Sequence, residues 1–442
     1  MQFTCNARAL LQALQRVNIR RNMYPYLLVR AGEGKLTLLT ATATSHWTPI
    51  STLNASTSLT ETLALQEDGE SVVHFQELVN AIKGLGGGWG QTLDIRQEDR
   101  AIIVSCRGQH TRQTPVAIGE ASEFPALPQA GDTEGTTYTR ERTIRVQCAT
   151  CQQWHAKTLT DTFQVLRVLT LRAHCSEKED FPSKLRQVAW AASENPYPKE
   201  ALTGISAWLR DGVLSLVAGD THCLVVRNHP LQEGASDWER GVLIPAQQLK
   251  SAMRLFPKRC DIMLEATGAF HQCVQSEEHE ALEAPPIFRP EIIRLCTERL
   301  SVTLSLMHAS PLKARSTPSQ ERITRVECAT ADLLSAVNAA TLVAQENNEV
   351  IWVHVGESHT RIEATHHEAA APAQYDVPAL IVGPAISVRL NCRYIKNALQ
   401  AVHTPQMILE FGDGPEKPVV LRTGDDPGNY MCTLAPLAGK KS

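Results

Sequence analysis

No stretch of this chain approaches the roughly 20 consecutive apolar residues that cross a bilayer. The opening, MQFTCNARALLQALQRVN, lacks the apolar core and small-residue cleavage site of a secretory signal. These two absences predict a cytoplasmic protein with no membrane partner. An excess of one charge is missing too: 43 Lys and Arg stand against 47 Asp and Glu, for a net −4. That balance excludes a protein that coats nucleic acid with its whole surface, while leaving room for a local basic face. There is no phosphate-binding loop, because the Gly-rich run GLGGGWG follows a helical pattern instead of linking a strand to a helix. No nucleophile elbow accompanies Asp220 and His222, the compact acid–histidine pair near a proposed cleft, so no catalytic residues are assigned. A CxxC at Cys148 and Cys151, with His155 and the His174–Cys175 pair, is half of a zinc ribbon whose second CxxC is missing. No metal or cofactor is expected, and the histidines of THHE (365–368) read as a solvated turn.

What is present is ordinary globular composition, 43% apolar and 20% charged. A length of 442 residues suits two to four domains. The 12 cysteines, without a secretory signal, read as reduced thiols acting mostly as small buried hydrophobes.

The chain repeats itself. SVVHFQELVNAIKGLG (71–86), GVLIPAQQLKSAMRLF (241–256) and SVRLNCRYIKNALQAV (387–402) each run from a short apolar strand into a helix. Their apolar positions coincide at Leu78, Ala81 and Ile82, at Leu249, Ala252 and Met253, and at Ile395, Ala398 and Leu399. That i, i+3, i+4 spacing lays one helical stripe on a core. A second motif, MQFTCNARALLQALQRVN at Met1, resembles TRVECATADLLSAVNAAT at Thr324, and IRVQCATC at Ile144 shares the opening. Cys5, Cys148 and Cys328 hold one register, at a strand end before a capping stretch. Runs of three or four strands with one helix per run predict an α+β fold, helices on one side of antiparallel sheet. FPALPQAGDTEGTT (124–137) and SPLKARSTPSQ (310–320) read as linkers. They divide the chain into units of about 1–130, 131–318 and 319–442, the middle one with insertions near 148–180 and 275–300.

Charge is also patterned. The first 32 residues carry Arg8, Arg16, Arg20, Arg21 and Arg30 and no acid. Arg240, Lys250, Arg254, Lys258 and Arg259 lie in an acid-free window between Glu239 and Asp261, as do Arg389, Arg393 and Lys396 between Asp376 and Glu410. Lys83, Lys184 and Arg186 sit on two further candidate helices.

The order and spacing of several segments together resemble the bacterial sliding clamp, the beta subunit of the replicative DNA polymerase. They are MQFTCNARALLQAL, SEFPALP (122–128), LVAGDTHCLVV (216–226), SPLKARSTP and YMCTLAPL (430–437). The resemblance covers nearly the whole chain except the two insertions. It implies three clamp-type domains, each a pseudo-twofold pair of helices packed on antiparallel sheets, forming half of a head-to-tail dimeric ring around duplex DNA. The expected DNA-facing residues are then Arg8, Arg16, Arg20, Arg21, Lys83, Lys184, Arg186, Lys250, Arg254, Lys258, Arg393 and Lys396, because phosphates attract cations whatever the sequence. The resemblance also implies a groove that captures short peptide motifs of the replicative polymerase and the clamp loader. Carried over residue by residue, it comprises Leu202, Gly219, Thr221, His222, Leu224, Pro311, Arg315, Thr433, Leu434, Pro436 and Leu437. The sequence departs from the family at Cys223, where Arg is usual, and at Lys313 and Ala314, where an aromatic and an Arg are more frequent. Edge strands such as His110–Ile118 and His359–Thr365 are expected to meet at ring closure. Two alternatives remain: a diverged clamp-fold paralogue with an accessory role and an altered groove, and a zinc or thiol enzyme on the same scaffold.

Overall fold

The computed structural model describes the chain except residues 20–22, 43–52, 86–90, 107–111, 120–123, 126–136, 148–153, 176–179, 196–198, 232–240, 258, 277–286, 313–321, 345–348, 366–371 and 438–442. The described residues form two compact units, each built on one antiparallel sheet. This confirms the expected α+β class.

The first unit begins with β1 (Gln2–Asn6), α1 (Ala7–Arg16), β2 (Tyr26–Gly32), β3 (Lys35–Ala41), β4 (Leu53–Leu59), β5 (Ala64–Glu67) and β6 (Gly69–His74). It continues with α2 (Phe75–Gly84), β7 (Thr92–Glu98), β8 (Ala101–Cys106), β9 (Arg112–Gly119), β10 (Thr137–Gln147) and β11 (Trp154–Cys175). In the second unit follow α3 (Phe181–Ala189), β12 (Gly204–Arg210), β13 (Val213–Gly219), β14 (Cys223–Pro230) and β15 (Val242–Pro245). Within α4 (Ala246–Ala252), at Gln248, the chain re-enters the first unit, which continues with β16 (Ile262–Ser276), β17 (Ile287–Cys296) and β18 (Ser301–Ser305). The remainder belongs to the second unit: β19 (Thr324–Ala329), α5 (Thr330–Ala344), β20 (Val350–Val355), β21 (His359–Ala364), β22 (Ala373–Val382), β23 (Ile386–Asn391), α6 (Cys392–Ala401), β24 (Gln406–Phe411), β25 (Val419–Thr423) and β26 (Tyr430–Leu434).

The middle of the chain therefore contributes to both sheets. Through β18, which pairs with β4, its strands continue the 14-stranded sheet of the first unit. Through β14, which pairs with β26, other strands continue the 12-stranded sheet of the second. The first junction is reinforced by Asn54, whose Oδ1 accepts Thr303 N at 3.3 Å. The segments read as insertions largely lie in the long antiparallel run β10–β11–β16–β17.

The recurring strand–helix unit has a local cause. In β1–α1, Asn6 ends the strand and its Oδ1 accepts Arg8 N at 3.0 Å and Ala9 N at 3.2 Å. In β23–α6, Asn391 does the same for Arg393 N at 2.9 Å. An extended residue whose side chain takes the helix's first amides turns strand into helix with little slack. Behind the caps, the stripes predicted by spacing are buried: Leu78, Ala81 and Ile82; Leu249, Ala252 and Met253; Ile395, Ala398 and Leu399. Each large aliphatic so buried contributes about 1.5–3 kcal/mol. Cys5 and Cys328 sit in the cores beside these helices, and burial pushes both thiols up to about 12, with the Asp332 charge adding to the shift at Cys328. They stay protonated, as packing groups.

One expectation about edges is corrected. The His359–Thr365 segment contains β21, which is paired on both sides, with β20 and β22 over its length. Its neighbour β22 pairs with β21 over residues 373–378 and with β19 over 379–382, so among the described residues 373–378 have a partner on one side. The other predicted edge is half right, because β9 pairs with β8 over 112–117 and touches β6 through Ile118 and Gly119 alone.

Candidate functional site

The clearest constellation of predicted residues lies within the second unit, at the Cys223 end of the β14–β26 seam. Cys223 lies opposite Leu434 and Leu224 opposite Thr433. The chain approaches β14 through a tight turn. Asp220 N donates to Cys223 O at 3.0 Å, while Asp220 Oδ1 accepts His222 N at 2.7 Å and Cys223 N at 2.8 Å. A Cβ on Gly219 would stand 2.5 Å from Cys223 O, so this closure requires glycine. The segment after β26 is strapped from both sides. Ala435 N donates to His222 O at 2.8 Å, and Leu437 N to Arg389 O at 2.9 Å, which fixes the backbone flanking Pro436.

The floor is apolar. Val217, Val226, Val420 and Met431 form a buried cluster against which Leu224 and Leu312 pack, half-buried. Leu312 is pinned through its main chain: its N–H donates to Ser206 Oγ at 2.7 Å, and its carbonyl accepts Trp208 Nε1 at 3.0 Å. Pro311, one residue earlier, is carried with it. Leu202 lies further back, its carbonyl taking Ser193 N at 2.8 Å in the turn behind Cys223, whose Sγ reaches Ala191 O at 3.9 Å. Arg315 falls outside the described residues. Thr221 and His222 are exposed at the turn's tip.

Two members of this site escaped the sequence reading. Tyr394 of α6 donates its hydroxyl to Asp220 Oδ2 at 2.6 Å, and its ring centroid lies 5.9 Å from that of His222. Burial, then the hydrogen bond and the charge of Asp220, raise the tyrosine pKa, so the hydroxyl remains a donor. Leu312 is the other. A tyrosine just off a helix's apolar stripe and a leucine beside a linker proline were the available signals. Both are weak until the fold brings them together. Asp220 is thus no catalytic partner of His222: it binds that residue's amide, not its ring. Cys223 is buried at 4% exposed, and burial, then the Asp220 charge, holds its thiol protonated.

Of the described basic residues in the expected set, all but Arg254 lie on helices; Arg254 stands two residues past the end of α4. Arg8, Lys83, Arg186, Arg254 and Arg393 are exposed, and Arg16, Lys184, Lys250 and Lys396 are half-buried. Arg20, Arg21 and Lys258 lie outside the described residues. Within the six helices, Arg8, Arg16, Lys83, Lys184, Arg186, Lys250, Arg393 and Lys396 face two acids, Glu77 and Asp332. The chain as a whole has more acid than base. Only α5 carries no cation. Lys184 also has an inward partner, with Nζ 3.0 Å from Nδ1 of His229. His229 is fully buried under the Phe181 ring. Burial first, then the charges of Lys184 and Arg227, push its pKa from 6.5 down to about 3. Above pH 6.5 both folded and unfolded chains hold it neutral; below, only the unfolded chain takes the proton, so stability falls. The slope is at most about 1.4 kcal/mol per pH unit. The stability difference between wild type and His229→Gln, measured by urea unfolding, should therefore shrink by about 2 kcal/mol from pH 7 to pH 4.5. A pH-independent difference would refute this.

Among the described residues no group of three His, Cys, Asp or Glu is placed to hold a metal, and Cys148 and Cys151 lie outside them. Ser387, His354 and Glu363 approach one another on a sheet face, with Ser387 Oγ 2.7 Å from His354 Nδ1 and Glu363 Oε2 3.8 Å from Nε2. Strand register accounts for this, because Ser387 lies directly opposite His354, and Glu363 opposite Trp352, whose ring stacks on His354. No described helix is long and apolar enough to cross a membrane.

Paired helices behind extended antiparallel sheets, joined through strand seams, define the clamp class of α+β proteins. The fold matches the beta subunit of DNA polymerase from Streptococcus pyogenes with a TM-score of 0.72 at 16% identity, over 99% of this chain and 100% of that one. The DNA polymerase III subunit beta from Pseudomonas aeruginosa matches equally well, with TM-score 0.72, 16% identity and the same coverage. The sliding clamp from Bacillus subtilis gives 0.71 at 16% identity, over the full length of both chains. Residues 318–434 match the family described as DNA polymerase III beta subunit, C-terminal domain. A beta sliding clamp from Staphylococcus epidermidis is 22% identical over 232 residues, 52% of this chain and 54% of the relative. The chain thus spans about half the length of the curated relatives it matches. Over residues 318–434 the chain thus matches the C-terminal domain of the DNA polymerase III beta subunit, and over its whole length it has the fold of the beta sliding clamps.

Proposed function

We propose that this protein is a DNA sliding clamp, a processivity factor without catalytic residues that encircles duplex DNA and tethers a replicative polymerase and other partners by short peptides. The observation that carries the reading is the charge of the helices, eight basic residues against two acidic in a chain that is otherwise net acidic. Arg8, Lys83, Arg186 and Arg393 are exposed on these helices, as sequence-independent attraction to phosphate would require. Three domains, about 1–130, 131–318 and 319–442, account for the helices as the pairs α1/α2, α3/α4 and α5/α6.

A head-to-tail homodimer would close the ring, and two strand stretches paired on one side among the described residues support it: β9 over 112–117 and β22 over 373–378. Leu342 is 73% exposed on α5, the helix that packs on β21 and β22, and offers an apolar contact beside the second edge. The peptide partner would lie on the Leu224–Leu312 floor between the His222–Tyr394 side and the Ala435–Leu437 strap, held by apolar anchors and main-chain hydrogen bonds.

The deciding experiment measures whether the purified protein lengthens the runs of a bacterial replicative polymerase in the presence of its loader. Retention on circular DNA and loss from linear DNA is the companion result. Reversing Arg8, Arg16, Lys250 and Arg393 to Glu is expected to cut retention on circular DNA. It should flatten the dependence of log affinity on log salt by roughly one unit for each phosphate no longer neutralised. Unchanged salt dependence would sink the assignment of these helices. A second reading, an accessory paralogue with altered partners, is favoured by Cys223 in place of the usual arginine. It predicts no gain in run length and no affinity for polymerase tail peptides.

A further inference from the structure

The 14-stranded sheet ends at β10 (Thr137–Gln147). This strand pairs with β11 over its whole length without a bulge, and among the described residues it has no partner on its other side. Its 11 residues therefore present an unbroken edge to a further strand. The sequence, TYTRERTIRVQ, does little to block one. It holds no proline, glycine or lysine, and six of its residues are β-branched or aromatic. The singly paired stretches of β9 and β22, by contrast, each contain a proline.

Charge is the remaining means of keeping such an edge apart, and here it has both signs. Within the hairpin Arg140 lies opposite Asp161, but Glu141 lies opposite Thr160 and Arg145 opposite Ala156. The register thus gives Glu141 and Arg145 no charged residue directly across on the inner side. Both are odd-numbered positions, so they share one face of the strand.

A twofold axis normal to the sheet lays a strand antiparallel against its own copy and keeps each face on its own side. Odd positions then meet odd positions, and the register is named by the residue that meets itself. Centred on Arg140, Arg142 or Arg145, it opposes arginine to arginine; centred on Glu141, it opposes glutamate to glutamate. Centred on Thr143, it sets Glu141 against Arg145 twice, Arg142 against Ile144, Arg140 against Val146 and Thr139 against Gln147, with no like charges opposed. No other centre brings the glutamate opposite an arginine. Unlike charges directly opposite stabilise a strand pair and like charges destabilise it.

We propose that β10 is a self-association edge, to which a second copy of this chain adds its own β10, antiparallel and centred on Thr143. The contact is isologous and joins two sheets into one. It is separate from the proposed closure at β9 and β22, so it stands whether or not the chain forms a ring.

Cysteine cross-linking of the full-length protein under mild oxidation tests it. Thr143→Cys places two thiols opposite each other, with Cα atoms about 4.5–5.5 Å apart, within disulfide reach. A disulfide-linked pair of chains is expected on a non-reducing gel, at several times the yield of wild type, whose 12 cysteines set the background. In Thr139→Cys the two thiols are about 27 Å apart along the strands, so that variant should stay at the background. Added to Thr143→Cys, Arg145→Glu opposes glutamate to glutamate twice and should slow cross-linking about tenfold. Adding Glu141→Arg as well exchanges the two charges and should restore the original rate. Cross-linking no better at 143 than at 139, a rate indifferent to Arg145→Glu, or a charge exchange that fails to restore it each overturns the proposal.

Discussion

Replacing Asp220 with alanine is expected to weaken binding of a polymerase tail peptide about 10–100-fold. One carboxylate holds three donors: the amides of His222 and Cys223 through Oδ1, and the hydroxyl of Tyr394 through Oδ2. Hydrogen bonds to a charged group contribute about 1.5–3 kcal/mol each. Losing all three relaxes the turn at Gly219–Cys223 and detaches α6 from it, so both sides of the proposed groove lose their positions. Tyr394→Phe removes one of the three and should cost about 3–10-fold. Asp220→Asn keeps an acceptor for both amides and should fall between. Fluorescence anisotropy with a labelled peptide measures each affinity. The Asp220→Ala/Tyr394→Phe double variant should lose less than the sum of the singles, because the two share one bond. Strict additivity, or wild-type affinity in Asp220→Ala at unchanged thermal stability, would show that this carboxylate does not organise the groove.

Leu342→Asp is the second change of large expected effect, this time on assembly. Leu342 is 73% exposed on a helix whose other large side chains are mostly covered, next to the sheet that carries the open edge of β22. An isolated exposed leucine is unremarkable, but one beside an unpaired strand edge is what an interface covers. A charge there, forced out of water on closure, should raise the dimer dissociation constant about 30-fold or more. Sedimentation at micromolar concentration should then report monomer with an unaltered circular dichroism spectrum. Both open edges also carry a proline, Pro115 in β9 and Pro378 in β22, and each lacks an amide for cross-chain pairing. Pro115→Val should accordingly tighten the dimer. A wild type that is already monomeric throughout would remove ring closure from the proposal.

Local order was readable because it is set by neighbours along the chain. The Leu78, Leu249 and Ile395 stripes, the Asn6 and Asn391 caps and the buried Cys5 and Cys328 all follow from spacing of a few residues. The candidate site was legible where it belongs to one stretch, as at the Gly219–Leu224 turn. It was illegible where it depends on pairing across distance. Asp220 meets Tyr394 174 positions away, and Trp208 meets Leu312 at a separation of 104. The edges failed for the same reason. His359–Thr365 alternates as an edge strand would, but alternation reports which side is buried, not how many neighbours a strand has.

By itself, then, the sequence determined the repeating strand–helix unit, the α+β class and the acid-poor helices, all properties of periodicity and composition within a window of one element. Only the tertiary structure decided that the middle of the chain is shared between two sheets and that Asp220 serves a turn and a tyrosine instead of a histidine ring. Those outcomes depend on which distant strands share hydrogen bonds, and no local preference encodes that choice.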